Sequence, residues 1–97
     1  MLEDLTADTF SALESLTFEL VSGDAVFPLE LVESVALSDK ATPHGRIPFS
    51  LLFRGAPDLR LSQRIHHLRH SELGELDIFL VPVQPDEKGA LYEAVFS

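Results

Sequence analysis

The sequence has 97 residues, of which 45% are apolar and none is cysteine, and its formal net charge is −9. A chain of this length has room for one hydrophobic core, so we expect a single domain over residues 1–97, without disulfides or a cysteine-ligated metal. The negative charge argues against binding to nucleic acid, because neutralising phosphates requires clustered Lys and Arg.

A short helix is predicted at the beginning of the chain, over residues 5–13. Thr6 is a suitable N-cap, and Leu5, Phe10 and Leu13 fall on one face at helical spacing. We expect about two helical turns, followed by a change to the period of a strand.

From residue 16 onward the apolar residues recur with a period of two, which is typical of half-buried strands. Strands are predicted at residues 16–20, 27–37, 47–54, 61–70, 76–81 and 91–96. The third is almost continuously apolar, so we expect it to be buried on both faces or to close a barrel. The fourth also fits a helix, but the period of its neighbours favours a strand. Residues 16–97 therefore predict a mainly β fold, an antiparallel meander of about six strands that forms a small barrel or a sandwich.

Several residues of these strands have a predicted position in the fold. Val35 and Leu37 continue the apolar face that begins at Phe27 in the second strand. Pro82 indicates an edge or a bulge in the fifth strand, because proline cannot donate a hydrogen bond to a neighbouring strand. The phenylalanines of the later strands are expected in the core: Phe49, Phe53, Phe79 and Phe96.

Charge is segregated along the chain. Residues 1–43 carry nine acids and one lysine, residues 44–70 carry five arginines and one acid, and residues 71–97 carry six acids and one lysine. The simplest explanation is that basic strands pair beside acidic ones, where opposite charges attract. The alternative is an arginine-rich interaction surface that recruits an acidic partner, formed by Arg46, Arg54, Arg60, Arg64 and Arg69.

The histidines also lie in the basic middle of the chain, and His66 and His70 are the candidate metal ligands. On a strand these two side chains point the same way but lie about 13 Å apart, too far to share one ion. On a helix they could share it, with Glu72 or His44 as a further ligand. The opposing interpretation is that the histidines are solvated or partly buried imidazoles on a basic strand.

No catalytic or cofactor-binding motif is present. The sequence contains no G-x-S-x-G elbow and no glycine-rich nucleotide-binding loop. We therefore expect no enzyme activity and no cofactor. The acidic N-terminus and the lack of a long apolar run predict a cytoplasmic protein that does not enter a membrane.

Five stretches carry a family resemblance: LTADTF at residues 5–10, PFSLLFRG at 48–55, HSELGEL at 70–76, FLVPV at 79–83 and YEAVF at 92–96. They resemble the DUF6916 family of small bacterial proteins of unknown function. Ser71 stands where the family often has proline, and His66 and His67 stand where an aromatic-containing strand is common. The resemblance implies no catalytic residues, and it implies a role beside phage-tail-collar or tail-fibre-like proteins.

Two functions are consistent with these observations. The first is a non-enzymatic structural or interaction module that binds another protein, as an accessory or assembly factor for a tail-fibre-like protein. The alternative is a small-ligand or metal-binding β-barrel with His66 and His70 at its mouth. Self-association through an exposed edge strand is compatible with either function.

Overall fold

A computed structural model describes residues 5–41, 43 and 47–96. In this part of the chain one helix is followed by six strands: α1 (Ala7–Ser11), β1 (Thr17–Ser22), β2 (Ala25–Ala36), β3 (Phe49–Gly55), β4 (Arg64–His70), β5 (Gly74–Asp86) and β6 (Gly89–Phe96). The mainly β fold with a short N-terminal helix is confirmed. The ambiguous fourth segment is a strand, as its neighbours indicated.

The six strands close into a barrel in the order β1-β2-β3-β6-β5-β4, and all neighbours are antiparallel. Two three-stranded meanders, β1-β2-β3 and β4-β5-β6, are joined by the β3–β6 and β1–β4 pairs. Each strand therefore has two partners, so Pro82 does not lie on a sheet edge. It faces Tyr92 in register, and the β5–β6 pairing becomes irregular just beyond it, between Val83 and Asp86.

The core is formed by the inward-facing side chains of the strands. The largest fully buried members are Phe18, Leu20, Leu29, Phe49, Leu51, Phe53, Leu68, Ile78 and Leu80. Alternation of buried and exposed positions is clearest in β3, where every second residue is buried and those between are half-buried. The expectation that β3 is apolar because it helps to close a barrel is consistent with this pattern.

The helix α1 covers one end of the barrel. Its Thr6 N-cap forms a capping box with Thr9, as the sequence indicated at Thr6. Phe10 is fully buried, and its ring centroid lies 5.9 Å from that of Phe49 and 6.0 Å from that of Phe96. The helix is shorter than the predicted residues 5–13. Ala12 forms a turn, and residues 13–16 connect it to β1.

The connection between β3 and β4 covers the other end. Leu59 is buried there, and the Tyr92 hydroxyl donates to its carbonyl oxygen at 3.0 Å. The same hydroxyl accepts the backbone N–H of Leu61 at 3.2 Å. This hydrogen bond holds Leu61 in the β3–β4 connection, so β4 begins at Arg64 and not at residue 61.

The second strand departs from its predicted pattern because it contains a bulge. The β2–β3 register shifts between Leu31 and Glu33. An extra residue in one strand reverses which side chains face inward. Leu31 is buried, but Val35 is exposed and Leu37 lies outside the strand and is exposed. The expectation that Val35 and Leu37 continue the core-facing side was therefore wrong.

Candidate interaction surface

Two of the arginines that the sequence singled out form ion pairs with acids of other strands. Arg54 forms a 2.6 Å ion pair with Asp86 and a longer one, 3.6 Å, with Glu30. The hydrogen bond to Asp86 raises the pKa of Arg54, and it lowers the pKa of Asp86. Arg69 pairs with Glu19 of the neighbouring strand at 3.2 Å. Basic strands thus lie beside acidic ones.

The other three candidate arginines have different surroundings. The Arg60 guanidinium donates to the carbonyl oxygens of Pro57 and Leu59, at 2.9 and 3.0 Å. Arg64 is exposed and has no ion pair within the described part of the chain. Arg46 lies outside the described residues. Two of the five candidate arginines, Arg54 and Arg69, are therefore paired with acids.

The two candidate metal ligands lie inside the barrel, where each is 5% exposed. His66 donates from Nε2 to the carbonyl oxygen of Ser62 at 2.8 Å. His70 donates from Nε2 to the carbonyl oxygen of Ser15 at 2.7 Å. Each ring is thus held by a backbone carbonyl oxygen. Among residues 5–41, 43 and 47–96 no group of three potential ligands is arranged to hold a metal, and His44 lies outside these ranges.

His67 was not predicted to have partners. Its side chain lies between two carboxylates on the outside of the barrel. His67 contacts Asp77 through Nδ1 at 2.9 Å and Glu75 through Nε2 at 2.6 Å. Ionised carboxylates only accept, so both hydrogen bonds form together only when both ring nitrogens donate, that is, when the imidazole is protonated. The hydrogen bonds to Asp77 and then to Glu75 raise the pKa of His67.

The outer surface also carries a group of exposed apolar side chains, which we call the apolar band. It consists of five residues that are between 39% and 63% exposed: Val35, Leu37, Ile65, Phe79 and Val95. Three other large apolar side chains of the described chain, Leu16, Val26 and Ile47, are comparably exposed, but the strand pairing does not place them in this group. Phe79 belongs to the band, so its predicted place in the core was wrong.

Strand pairing brings the band together from four strands. Val35 of β2 and Val95 of β6 both face Ser50 of β3. Phe79 faces Ile65 across the β5–β4 pair. The β5–β6 register pairs Val81 with Glu93, and continuing it by two residues places Phe79 beside Val95 in the same row.

Further apolar residues and two acids border this row. The Leu37 N–H donates to the Pro48 carbonyl at 2.8 Å, which holds Leu37 beside the start of β3. On the other side, Glu33 and Glu93 both face Leu52. The band is therefore apolar along its length and acidic along one border.

The fold and this surface define a small closed β-barrel domain with a filled core and an exposed apolar band on its convex side. Residues 5–96 match the family described as Domain of unknown function (DUF6916), and the chain belongs to this family. Comparison with curated proteins found no match, and comparison with solved structures found none. Among the described residues, no helix has the length and hydrophobicity that a membrane span needs.

Proposed function

We propose that this protein is a non-enzymatic interaction module, and that the apolar band binds a concave surface of another protein. The observation that carries the proposal is the collection of exposed Ile65, Phe79 and Val95 into one row by the strand order β4-β5-β6. Exposed apolar patches of this kind usually mark interaction sites, whereas single exposed apolar residues are ordinary.

Burying the band would contribute substantially to binding. Full burial of a large apolar side chain is worth about 1.5–3 kcal/mol, so each half-exposed member retains about 1 kcal/mol. The five members together offer about 5 kcal/mol, before the cost of association is subtracted. Association itself costs at least about 4 kcal/mol, so a micromolar complex, which needs about 8 kcal/mol net, also requires contacts outside the band.

Shape and charge favour a different protein over a second copy of this chain. The band curves around a barrel, and two convex surfaces touch over a smaller area than a convex surface and a concave one, whereas a stable interface buries roughly 800 Å² per partner. The net charge of −9 also repels a second copy. Glu33 and Glu93 along the border favour a partner whose apolar cavity is flanked by Lys or Arg.

The closed barrel removes one argument for self-association. Edge strands recruit other strands through unpaired backbone groups, but here each strand has partners on both sides. The tail-fibre-like partner implied by the family resemblance remains a hypothesis. It is the first candidate to co-express with this protein.

The test begins with a photo-crosslinking amino acid in place of Phe79, introduced in the cell that produces the protein. The same amino acid at Lys88, in the exposed turn between β5 and β6, is the control. We expect one crosslinked partner at the first position and none at the second. No product at position 79, or the same product at both positions, would contradict the proposal.

Affinity for the purified crosslinked partner then tests the band itself. Ile65→Ser and Val95→Ser are expected to weaken binding at least about tenfold, as truncation of central apolar contacts does. Leu16→Ser is the matched control, because Leu16 is 46% exposed but lies outside the band. Equal weakening by all three variants would show that the band has no special role.

A further inference from the structure

The β3–β4 connection covers its end of the barrel incompletely. The inward-facing positions of β5 are buried as far as Leu80, but Pro82, the next position of the same phase, is exposed. Pro82 pairs with the buried Tyr92, so its side chain has the inward phase although solvent reaches it. The strand register shifts just beyond this pair, between Val83 and Asp86. The barrel is therefore open beside the end of β5.

A cavity of about 260 Å³ lies at this opening. Most of its lining is apolar, and it consists chiefly of Pro57, Leu59, Pro82, Val83, Pro85 and Leu91. Arg60 and Tyr92 contribute the polar groups. Apolar walls with a few polar groups at the mouth of a β-barrel are typical of small-molecule sites, which usually measure about 300–1,000 Å³. This volume is slightly below that range and suits a small ligand.

The polar part of the lining holds a cation in a defined position. The Tyr92 hydroxyl donates to the Leu59 carbonyl at 3.0 Å, and Nη1 of Arg60 donates to the same oxygen at 3.0 Å. Nη1 also donates to the Pro57 carbonyl at 2.9 Å. These bonds use one of the three guanidinium nitrogens. Within the described part of the chain Nε and Nη2 have no hydrogen-bond partner, so their N–H groups are available to a ligand.

The charge of Arg60 is also uncompensated, in contrast to that of two other arginines. Arg54 and Arg69 pair with acids of neighbouring strands, but none of the described carboxylates forms an ion pair with Arg60. Asp58 is close in sequence, yet it is exposed and is not among its partners. A guanidinium is suited to bind a carboxylate through two parallel N–H groups. The group that complements this cavity is therefore a carboxylate.

We propose that the cavity binds a small apolar carboxylate, whose apolar part lies against the three prolines and whose carboxylate accepts from Nε and Nη2 of Arg60. The hydrogen bonds of Nη1 already hold the guanidinium, so binding costs little further ordering of this side chain. The small volume favours a free molecule over a segment of another protein. No member of the apolar band lines the cavity, so this site is independent of the proposed protein–protein contact.

NMR of the nitrogen-labelled full chain, titrated with phenylacetate up to about 20 mM at constant ionic strength, tests the site. We expect saturable shifts of the Leu59, Val83 and Leu91 amides and unchanged amides in β1. 2-Phenylacetamide has the same shape without the charge, and acetate has the charge without the ring. Each is expected to bind at least about fivefold more weakly, because one loses the charge-assisted hydrogen bonds and the other loses the apolar contact.

Two variants with the same change of charge test the role of the guanidinium. Arg60→Gln should weaken phenylacetate binding at least about fivefold and leave 2-phenylacetamide binding unchanged. Arg64→Gln, which alters an exposed arginine outside the cavity, should bind phenylacetate as the natural protein does. The proposal is overturned by the absence of saturable shifts with phenylacetate, by equal affinity for the amide or for acetate, or by equal effects of the two variants.

Discussion

At the scale of single residues, the three histidines of β4 show how one strand gives the same side chain different chemistry. His66 and His70 face the core and satisfy backbone groups, whereas His67 faces outward between Asp77 and Glu75. The alternation of a strand alone separates them. Only the outward ring has carboxylates on both sides, and its pKa is raised for that reason.

The raised pKa of His67 predicts a pH-dependent contribution to stability. A group whose pKa is higher in the folded state stabilises the fold fully below its unfolded value, about 6.5, and loses this contribution as the pH rises through the folded value. His67→Gln should therefore lower the free energy of unfolding in acid and match the natural protein above the folded pKa. Urea unfolding across this range measures the difference.

The pH dependence of that difference distinguishes a contribution from the charge of the imidazolium from a contribution of side-chain packing. If His67→Gln is equally destabilising at every pH, the ring contributes by its contacts and not by its charge. Gln63→Ala is a suitable control, because Gln63 is exposed and precedes the same strand. It should leave the pH profile unchanged.

At the scale of elements, α1 is stabilised more by its contacts with the barrel than by its own helical hydrogen bonds, because it is short. Five residues form barely more than one turn, and a helix this short is not stable alone. Its capping box and the bond from the Ser34 hydroxyl to the Ala7 carbonyl, at 3.2 Å, position it. Burial of Phe10 supplies most of the free energy that keeps α1 on the barrel.

Phe10→Ala is expected to lower the free energy of unfolding by about 3–5 kcal/mol, because it leaves a cavity over the aromatic cluster. Chemical denaturation followed by circular dichroism measures this loss. Ser11→Ala, at an exposed neighbouring position of the same helix, should change stability by less than about 0.5 kcal/mol. A loss below about 1 kcal/mol for Phe10→Ala would show that α1 covers the barrel without stabilising it.

The elements also show what the sequence can predict. A period of two located every strand, and the Thr6 cap located the start of α1. The bulge in β2 was not predictable, because Leu31 and Val32 are both apolar and either could continue the pattern. The face of Phe79 was ambiguous for the same reason: residues 76–83 contain apolar side chains in both phases, and neighbouring strands decide which phase faces the core.

At the scale of the whole molecule, closure depends on pairs that are distant in sequence. The almost continuous apolar run of β3 indicated a strand buried on both faces or closing a barrel, but not that β3 would pair with β6 or β1 with β4. The apolar band could not be predicted for this reason, since the order β3-β6-β5 is what brings Val35, Val95 and Phe79 into one row. The charge segregation was easier to interpret, because pairing of opposite charges on neighbouring strands needs no particular order.

The β1–β4 seam is the shortest of the six strand pairings. Only three residue pairs join these strands within the described chain, from Glu19–Arg69 to Val21–His67, whereas seven join β3 to β6. Fewer backbone hydrogen bonds make local opening less costly. We expect the amides that bridge β1 and β4 to exchange with solvent at least about tenfold faster than those between β3 and β6, at neutral pH and without denaturant.

The ion pair across the seam offers a directed test of this opening. Arg69 and Glu19 are each about half exposed, so their pair is worth only about 0.2–1 kcal/mol. Glu19→Gln should therefore speed exchange at the seam about two- to fivefold and leave the β3–β6 amides unchanged. Equal protection of both pairings in the natural protein would mean that the barrel opens only as one unit, in which case Glu19→Gln would affect both alike.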